Sequence, residues 1–375
     1  MKESPAHYDL AVVGSGIVGL FAMYWARSQG AKVIIFDRYH PPHRLGSSHG
    51  LSRAIERTFN EVDERYKPWV RQTWELWETI NLAFPAVGPL QRTGALIMIP
   101  EGDPRASTFQ SWAQELRTPV TLLGTGGLRS HFPYFSIPRH TVGLWEKDAA
   151  LIRVEPLIEA MVAWGESHGV AQHYGEEVQE LAPEESGVIV MTPQGRYQAS
   201  RVIVTPGPWL PQFNLSLPIR KKRQLMIWVP RHSLNIPTAV SVDLGEHPRL
   251  AFYPESEVTV KIVADVSLED SSAEVAPASG VNVEDIVKVN DAVRQFWRGI
   301  DQAPLVRHEP CTATYTPDLH FYVGIWPKDP HIIVGGGFSG RGFKYAPLAG
   351  RWLVDLAFRG ESADSPSLFR LDRYS

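Results

Sequence analysis

Hydrophobic and polar positions change period several times along this chain, and each change predicts an element. Leu10 to Val13 is a short unbroken apolar run of the kind found in strands buried on both faces. A second such strand, Lys32 to Phe36, ends in Asp37. In "RYKPWVRQTWELWETI" (65–80), Val70, Trp74 and Trp77 recur at i, i+4 and i+7, which predicts an amphipathic helix whose aromatics belong to a core. "VEPLIEAMVAWGESHG" (154–169) predicts another, with Pro156 in its first turn, Gly169 as its stop, and Leu157, Met161 and Trp164 as its apolar stripe. Val202 to Thr205 reads as a strand running into a Pro/Gly turn, and the last helix runs from about Pro347 to Phe358.

From 219 to 265 the pattern changes to extended runs, "QLMIWV", "RLAFYP" and "EVTVKIVAD", separated by turn residues, which predicts mainly antiparallel sheet. Period-2 alternation places Thr259, Lys261 and Val263 on one face of the last run, and Val258, Val260 and Ile262 on the other. The apolar face predicts the core, so Lys261 is expected to look toward a cavity or solvent.

These elements predict an α/β (α+β) chain of two domains, which a length of 375 residues accommodates. A nucleotide-binding domain is assembled from 1–86, 145–215 and 311–375. A sheet-rich substrate domain, 87–144 and 216–310, is inserted into it. A 43% hydrophobic and 21% charged composition is that of a globular chain. Twelve tryptophans add large aromatic surfaces to a core or a ligand cavity.

A net charge of −4 provides no basic field for nucleic acid or anionic lipid, and "RKKR" (220–223) reads as a solvated strand entrance. Cys311 is the single cysteine, which excludes an internal disulfide and a multi-thiolate zinc site and suits a reducing compartment. The opening "MKESPAHYDL" has no apolar leader, and no run is long and apolar enough to span a bilayer. A cytoplasmic protein with neither membrane nor nucleic-acid partner, and without metal, is expected.

Chemistry concentrates first in "YDLAVVGSGIVGLFAMYWARSQGAKVIIFDRY" (8–39). Gly14, Gly16 and Gly19 follow the first strand in G-x-G-x-x-G spacing and open a helix that Gly30 closes. Gly14 permits the tight turn, Gly16 lets a pyrophosphate approach the backbone, and Gly19 lets helix and strand pack closely. The helix N-terminus offers N–H groups to phosphate, and Asp37 can accept from ribose hydroxyls. Strand, glycines, helix, strand and acid in this order predict a dinucleotide site, without separating NAD from FAD.

"CTATYTPDLHF" (311–321), followed by "HIIVGGGFSGRGFKYAPLAGRWLVDLAF" (331–358), resembles the monomeric sarcosine oxidase and N-methyltryptophan oxidase family. "PPHRLGSSHGLSRAIERTF" (41–59) and "VIVTPGPWL" are similar to the same family. The resemblance implies a glutathione-reductase-type FAD domain, a small-molecule amine substrate, O2 as electron acceptor, hydrogen peroxide as product, and a monomer. It implies that Cys311 carries the flavin through a thioether, where the ordinary reading of a lone thiol is a packed core residue. His49 and Arg53 match basic groups beside the flavin ring. Lys261 matches the lysine that activates oxygen, a fixed cation lowering the barrier for the first electron to reach O2. Lys344 matches a lysine that holds the substrate carboxylate. Arg38, Ser47, Gly337, Phe338, Gly340, Gly342 and Lys344 join Gly14, Gly16, Gly19 and Asp37 as implied cofactor contacts, the glycine-rich turn letting backbone lie against the flavin.

Departures from the family bear on substrate. Glu56 stands where an arginine would help Lys344 clamp a carboxylate, and Arg57 is one residue out of phase. Asp265, Ala313 and Arg341 replace a histidine, a tyrosine and a histidine of the sarcosine oxidases. Glu56, Asp265, Arg341 and Lys344 are therefore the expected substrate-facing set. Two added acids disfavour a simple amino-acid carboxylate, so sarcosine is expected to be a poor substrate and a larger amine, or one with a second positive group, a better one. A flavin dehydrogenase serving another acceptor, an NAD(P)-dependent dehydrogenase and a flavin-binding protein without turnover are the alternatives.

Overall fold

The computed structural model describes residues 7–59, 61, 63–245, 248–268, 283–362 and 367–374. Two compact units make up the chain, the first from 1–49, 155–221 and 312–375, the second from 50–154 and 222–311.

The first unit is built on a parallel sheet. Strand His7–Val13 lies between Val33–Asp37 and Arg196–Val204, all parallel, with Ala171–Tyr174 beyond one side and Ile332–Gly336 beyond the other. Leu10, Ala11 and Val12 are fully buried, as an unbroken apolar run requires when both faces of a sheet are covered. Antiparallel additions are Tyr322–Ile325 at one edge and the meander Glu180–Glu184 and Gly187–Met191, which pairs with the first half of Arg196–Val204. Helix Ile17–Ser28 packs on helix Gly342–Arg359, where the Trp25 indole donates to the Pro347 carbonyl at 2.8 Å.

That last helix begins at Gly342, not near Pro347, so Pro347 sits inside it. Proline in the first turn is the commoner placement. Here the helix springs directly from the glycine-rich turn, with Arg341 as its N-cap, and packing against Phe21 and Trp25 outweighs the bond that Pro347 cannot donate.

The second unit holds a long mixed sheet in the order Arg307–Tyr315, Arg220–Pro230, Thr259–Leu268, Leu250–Tyr253, Ala239–Val242, Ala95–Pro100, Thr141–Glu146, Val120–Leu123. From Arg220–Pro230 onward neighbouring strands are antiparallel except Ala239–Val242 with Ala95–Pro100, where the strands run parallel and join the unit's two chain segments. Val229, Phe252, Val260 and Ile262 form a core with Val289 and Val293 of helix Val283–Arg294. A small sheet, Ser52–Ile55, Ala150–Arg153 and Leu90–Arg92, completes the unit. Helix Lys67–Ala83 buries Val70, Trp74 and Trp77 as its spacing predicts.

The expected division at 86/87 and 144/145 lies elsewhere in the structure. Residues 50–86 and 145–154 belong to the second unit, because Ser52–Ile55 pairs with Ala150–Arg153 and Thr141–Glu146 pairs with Ala95–Pro100. Those are long-range pairings that local periodicity does not carry. No helix among the described residues is long and apolar enough to cross a membrane.

Candidate active site

In the first unit the fingerprint folds into a tight glycine turn that leads into helix Ile17–Ser28. A Cβ on Gly14 would collide with the Thr205 carbonyl, and Gly14 has φ +98°, where glycine is favoured. A Cβ on Gly19 would collide with the Gly14 carbonyl. Gly16 is different, since a Cβ there meets only Ser48 Oγ at 3.4 Å, an ordinary contact. The protein's own packing therefore explains Gly14 and Gly19 but not Gly16, whose bareness suits a ligand lying against the backbone.

Asp37 organises the loop. Oδ2 accepts from the Ser15 N–H at 2.7 Å and the Ser15 hydroxyl at 2.8 Å, and Oδ1 accepts from the Tyr39 N–H at 2.9 Å. Helix Ile17–Ser28 has no side-chain cap of its own, and Ser48 Oγ supplies one by accepting from the Ile17 N–H at 3.1 Å. Arg38 pairs with Glu177 at 2.6 Å and lies over the Tyr39 and Trp209 rings. Burial pushes the His43 imidazole below its ordinary range against the pull of Asp37, with His49 adding to the depression. Ser47 donates to the Thr312 carbonyl, and His49 is fully buried.

Tyr174 is a residue the sequence reading did not single out. It is the register partner of Asp37, and its hydroxyl is buried with no hydrogen-bond partner. Burial, and then the Asp37 charge, push its phenol up. An orphaned hydroxyl beside the acid, the unfilled space at Gly16 and a helix N-terminus form a donor set that fits the adenosine diphosphate half of FAD.

The glycine-rich turn belongs to the same unit. A Cβ on Gly337 would lie 2.5 Å from Thr316 Cγ2, and one on Gly342 2.8 Å from Phe338 Cβ. Protein packing therefore demands bare backbone at both positions. Lys344 stands in the first turn of the helix with 5% exposure. Arg341 is tied down, donating to the Leu319 carbonyl and lying 5.0 Å from the Phe321 ring.

In the second unit Arg53, Lys261 and Cys311 come together. Arg53 donates through Nη1 to the Ser52 carbonyl at 2.8 Å, and Nη2 approaches Cys311 Sγ at 3.9 Å. A guanidinium beside a sulfur stabilises negative charge on it. Lys261 lies between its cross-strand partners Trp228 and Tyr253, 4.8 Å above the Tyr253 ring. Nζ donates to the Ser52 carbonyl and to Ser52 Oγ at 2.8 Å, and pairs with Glu255 at 3.2 Å.

Lys261 is 1% exposed, so of the two surroundings its strand face allowed, cavity or solvent, it does not take solvent. The alternation itself holds, with Val260 and Ile262 fully buried opposite it, but Ser52, Glu255, Trp228 and Tyr253 close over the polar face. Val258, expected on the core face, precedes the strand and is 71% exposed. Burial lowers the Lys261 ammonium to about 8, with Glu255 resisting and Arg53 assisting.

Glu56 is buried beyond the end of its strand. Burial raises the Tyr253 phenol, Arg249 and Arg53 oppose that, and Glu56 adds to it. Arg57 is engaged elsewhere, donating to the fully buried Glu146 through its N–H and Nε. Asp265 is ion-paired with Lys222, accepts from Gln224 at 3.2 Å, and is half-exposed. Its carboxylate is thus paired with a cation on the neighbouring strand. Ser52, Trp228 and Glu255 escaped sequence reading because strand register brings them together.

Comparison with known proteins identifies the family and the fold. The family model described as FAD dependent oxidoreductase (DAO) matches residues 9–356. The chain belongs to this family. N-methyl-L-tryptophan oxidase of Yersinia pestis (strain Pestoides F) is 28% identical over 373 residues, covering 98% of this chain and 99% of that relative. Among solved structures, glycine oxidase from Geobacillus kaustophilus superposes with a TM-score of 0.84 at 19% identity, over 98% of this chain and 99% of the other. L-proline dehydrogenase from P. horikoshii gives 0.82 at 19% identity, over 99% and 98%. The Rossmann-like FAD fold expected from the sequence is thus the fold of this FAD-dependent oxidoreductase, and the NAD(P) alternative falls away.

Proposed function

We propose that this FAD-dependent oxidoreductase oxidises a C–N bond of a secondary amine or amino-acid-like substrate, with O2 as acceptor and the flavin tethered to Cys311. Bound FAD supplies a two-electron oxidation, in which the C–N unit loses two electrons and two protons to become an imine, and O2 takes the same number to become hydrogen peroxide. The observation that carries this is the grouping in the second unit of the only cysteine, a guanidinium 3.9 Å from its sulfur and a buried lysine.

Arg53 would stabilise the Cys311 thiolate for attack during tethering. Lys261 would present a fixed cation to O2. Gly14, Gly16, Gly19, Asp37, Arg38, Ser47 and Tyr174 would hold the nucleotide end, and His49 with the turn at Gly337, Phe338, Gly340 and Gly342 would serve the ring end. Lys344 would hold a substrate carboxylate, whereas Arg341 is committed to Leu319 and Phe321. Glu56 supports a substrate that is larger than sarcosine or carries a second positive group. The single cysteine suits the cytoplasm, and the chain is taken to act as a monomer.

Acid precipitation tests the tether. Yellow colour is expected to stay with the pellet of the native protein and to move to the supernatant for Cys311→Ala. Colour released from both would reduce Cys311 to a packing residue. An amine screen with peroxide detection tests the acceptor: bleaching by substrate without stoichiometric peroxide would favour a dehydrogenase, and flavin that no amine bleaches would favour a non-catalytic flavoprotein.

A further inference from the structure

Glu255 has no place in the chemistry above, yet three side chains from three strands engage it. It stands in the hairpin turn between Leu250–Tyr253 and Thr259–Leu268, with its side chain fully buried. Oε1 accepts from Ser52 Oγ at 2.9 Å and lies 3.2 Å from Lys261 Nζ, while Oε2 accepts from the Trp228 indole N–H. Because Ser52 Oγ also accepts from Lys261, ammonium, hydroxyl and carboxylate close a ring. An ammonium has three donors, and the Ser52 carbonyl, Ser52 Oγ and Glu255 Oε1 match them.

Other groups facing Lys261 pull in different directions. Arg53 from the Ser52–Ile55 strand opposes the ammonium charge, Cys311 from the Arg307–Tyr315 strand favours it, and Tyr253 offers only a ring face. Full burial opposes the charge most strongly. Glu255 answers both unfavourable influences with a carboxylate that also bonds.

We propose that Glu255 is a positioning residue for Lys261, keeping the ammonium charged and fixed beside Ser52 where it can act on O2. This rests on the oxygen role proposed for Lys261. Glu255→Gln keeps the shape and removes the charge. Reoxidation of the reduced holoenzyme by O2 is followed by stopped flow from about pH 6 to 10. In the native protein the rate is expected to fall as pH rises through about 8, where the cation is lost. In Glu255→Gln the fall is expected about one pH unit lower or more, with the rate at the acid end retained. Trp228→Phe, which keeps the acid and removes its indole donor, moves the fall the same way by less, and serves if the glutamine variant does not fold.

A second readout is a double-mutant cycle in urea unfolding over Glu255→Gln and Lys261→Met. The pair is expected to couple by about tenfold or more in the unfolding constant. Superimposed pH profiles with no coupling overturn the proposal. If Lys261→Met reoxidises at the native rate, the oxygen role of Lys261 is lost instead, and the coupling alone decides the pairing.

Discussion

Glu56 is a 2% exposed acid at a position where resemblance led one to expect a cation. Its charge acts on Tyr253 together with Arg53 and Arg249. A negative charge in such surroundings is weakly screened. Glu56→Gln is therefore expected to lower KM for a carboxylate-bearing amine on the order of tenfold, with kcat little changed. Steady-state peroxide assays with paired carboxylate and carboxamide substrates check this, and an equal effect on both would refute a charge role. At this scale the sequence was informative where a residue was singular, as with Cys311, or lay in a local motif, as with Asp37. It was silent on Glu255, Ser52 and Trp228, because they meet only once Trp228 and Lys261 are placed in register across two strands. The ion pair of Asp265 was hidden for the same reason, its partner Lys222 lying on the neighbouring strand.

Among the elements, the strand–turn–helix at the N-terminus shows why spacing is legible and cause is not. All three fingerprint glycines look alike in sequence, yet they answer to different neighbours. Gly19→Ala would drive a methyl into the Gly14 carbonyl and is expected to destabilise the protein by about 1–3 kcal/mol and strip its colour. Gly16→Ala meets no such obstacle, so it is expected to unfold at the native urea concentration while retaining little FAD. Urea midpoints and flavin-to-protein absorbance ratios separate the two, and equal destabilisation would contradict the distinction. The terminal helix starts at Gly342, five residues before the start expected near Pro347. The helix starts directly behind the glycine-rich turn, which puts Lys344 in its first turn.

For the whole molecule, the fold class was legible because buried parallel strands and alternating antiparallel ones leave different patterns. The unit boundaries were not, since they depend on which distant strands pair. The C-terminal segment is secured by Arg373, which donates to Asp318 at 2.8 and 3.1 Å and to the His320 carbonyl, and covers the Tyr322 and Tyr374 rings. Burial works to raise the Asp318 carboxyl, but hydrogen bonds from Arg373 and Tyr374 hold it well below the usual carboxylate range. A depressed acid contributes stability above its unfolded pKa and loses it as pH falls below about 4. Arg373→Met is expected to cost about 1–3 kcal/mol at pH 7 and less at pH 3. Urea unfolding at both pH values checks the sign, and an equal loss at both would point to packing alone.

The second unit consists of two separate stretches of chain, stitched within one sheet by the parallel pairing of Ala239–Val242 with Ala95–Pro100. Neither stretch carries the whole of the long sheet, so neither can be inherited or transplanted alone. Exchange of this unit between relatives by recombination would need crossovers near all four junctions at once, at 49/50, 154/155, 221/222 and 311/312. Diversification of the family through this unit is therefore expected to proceed by point substitution and loop change, and a chimaera cut at one junction to yield an insoluble product.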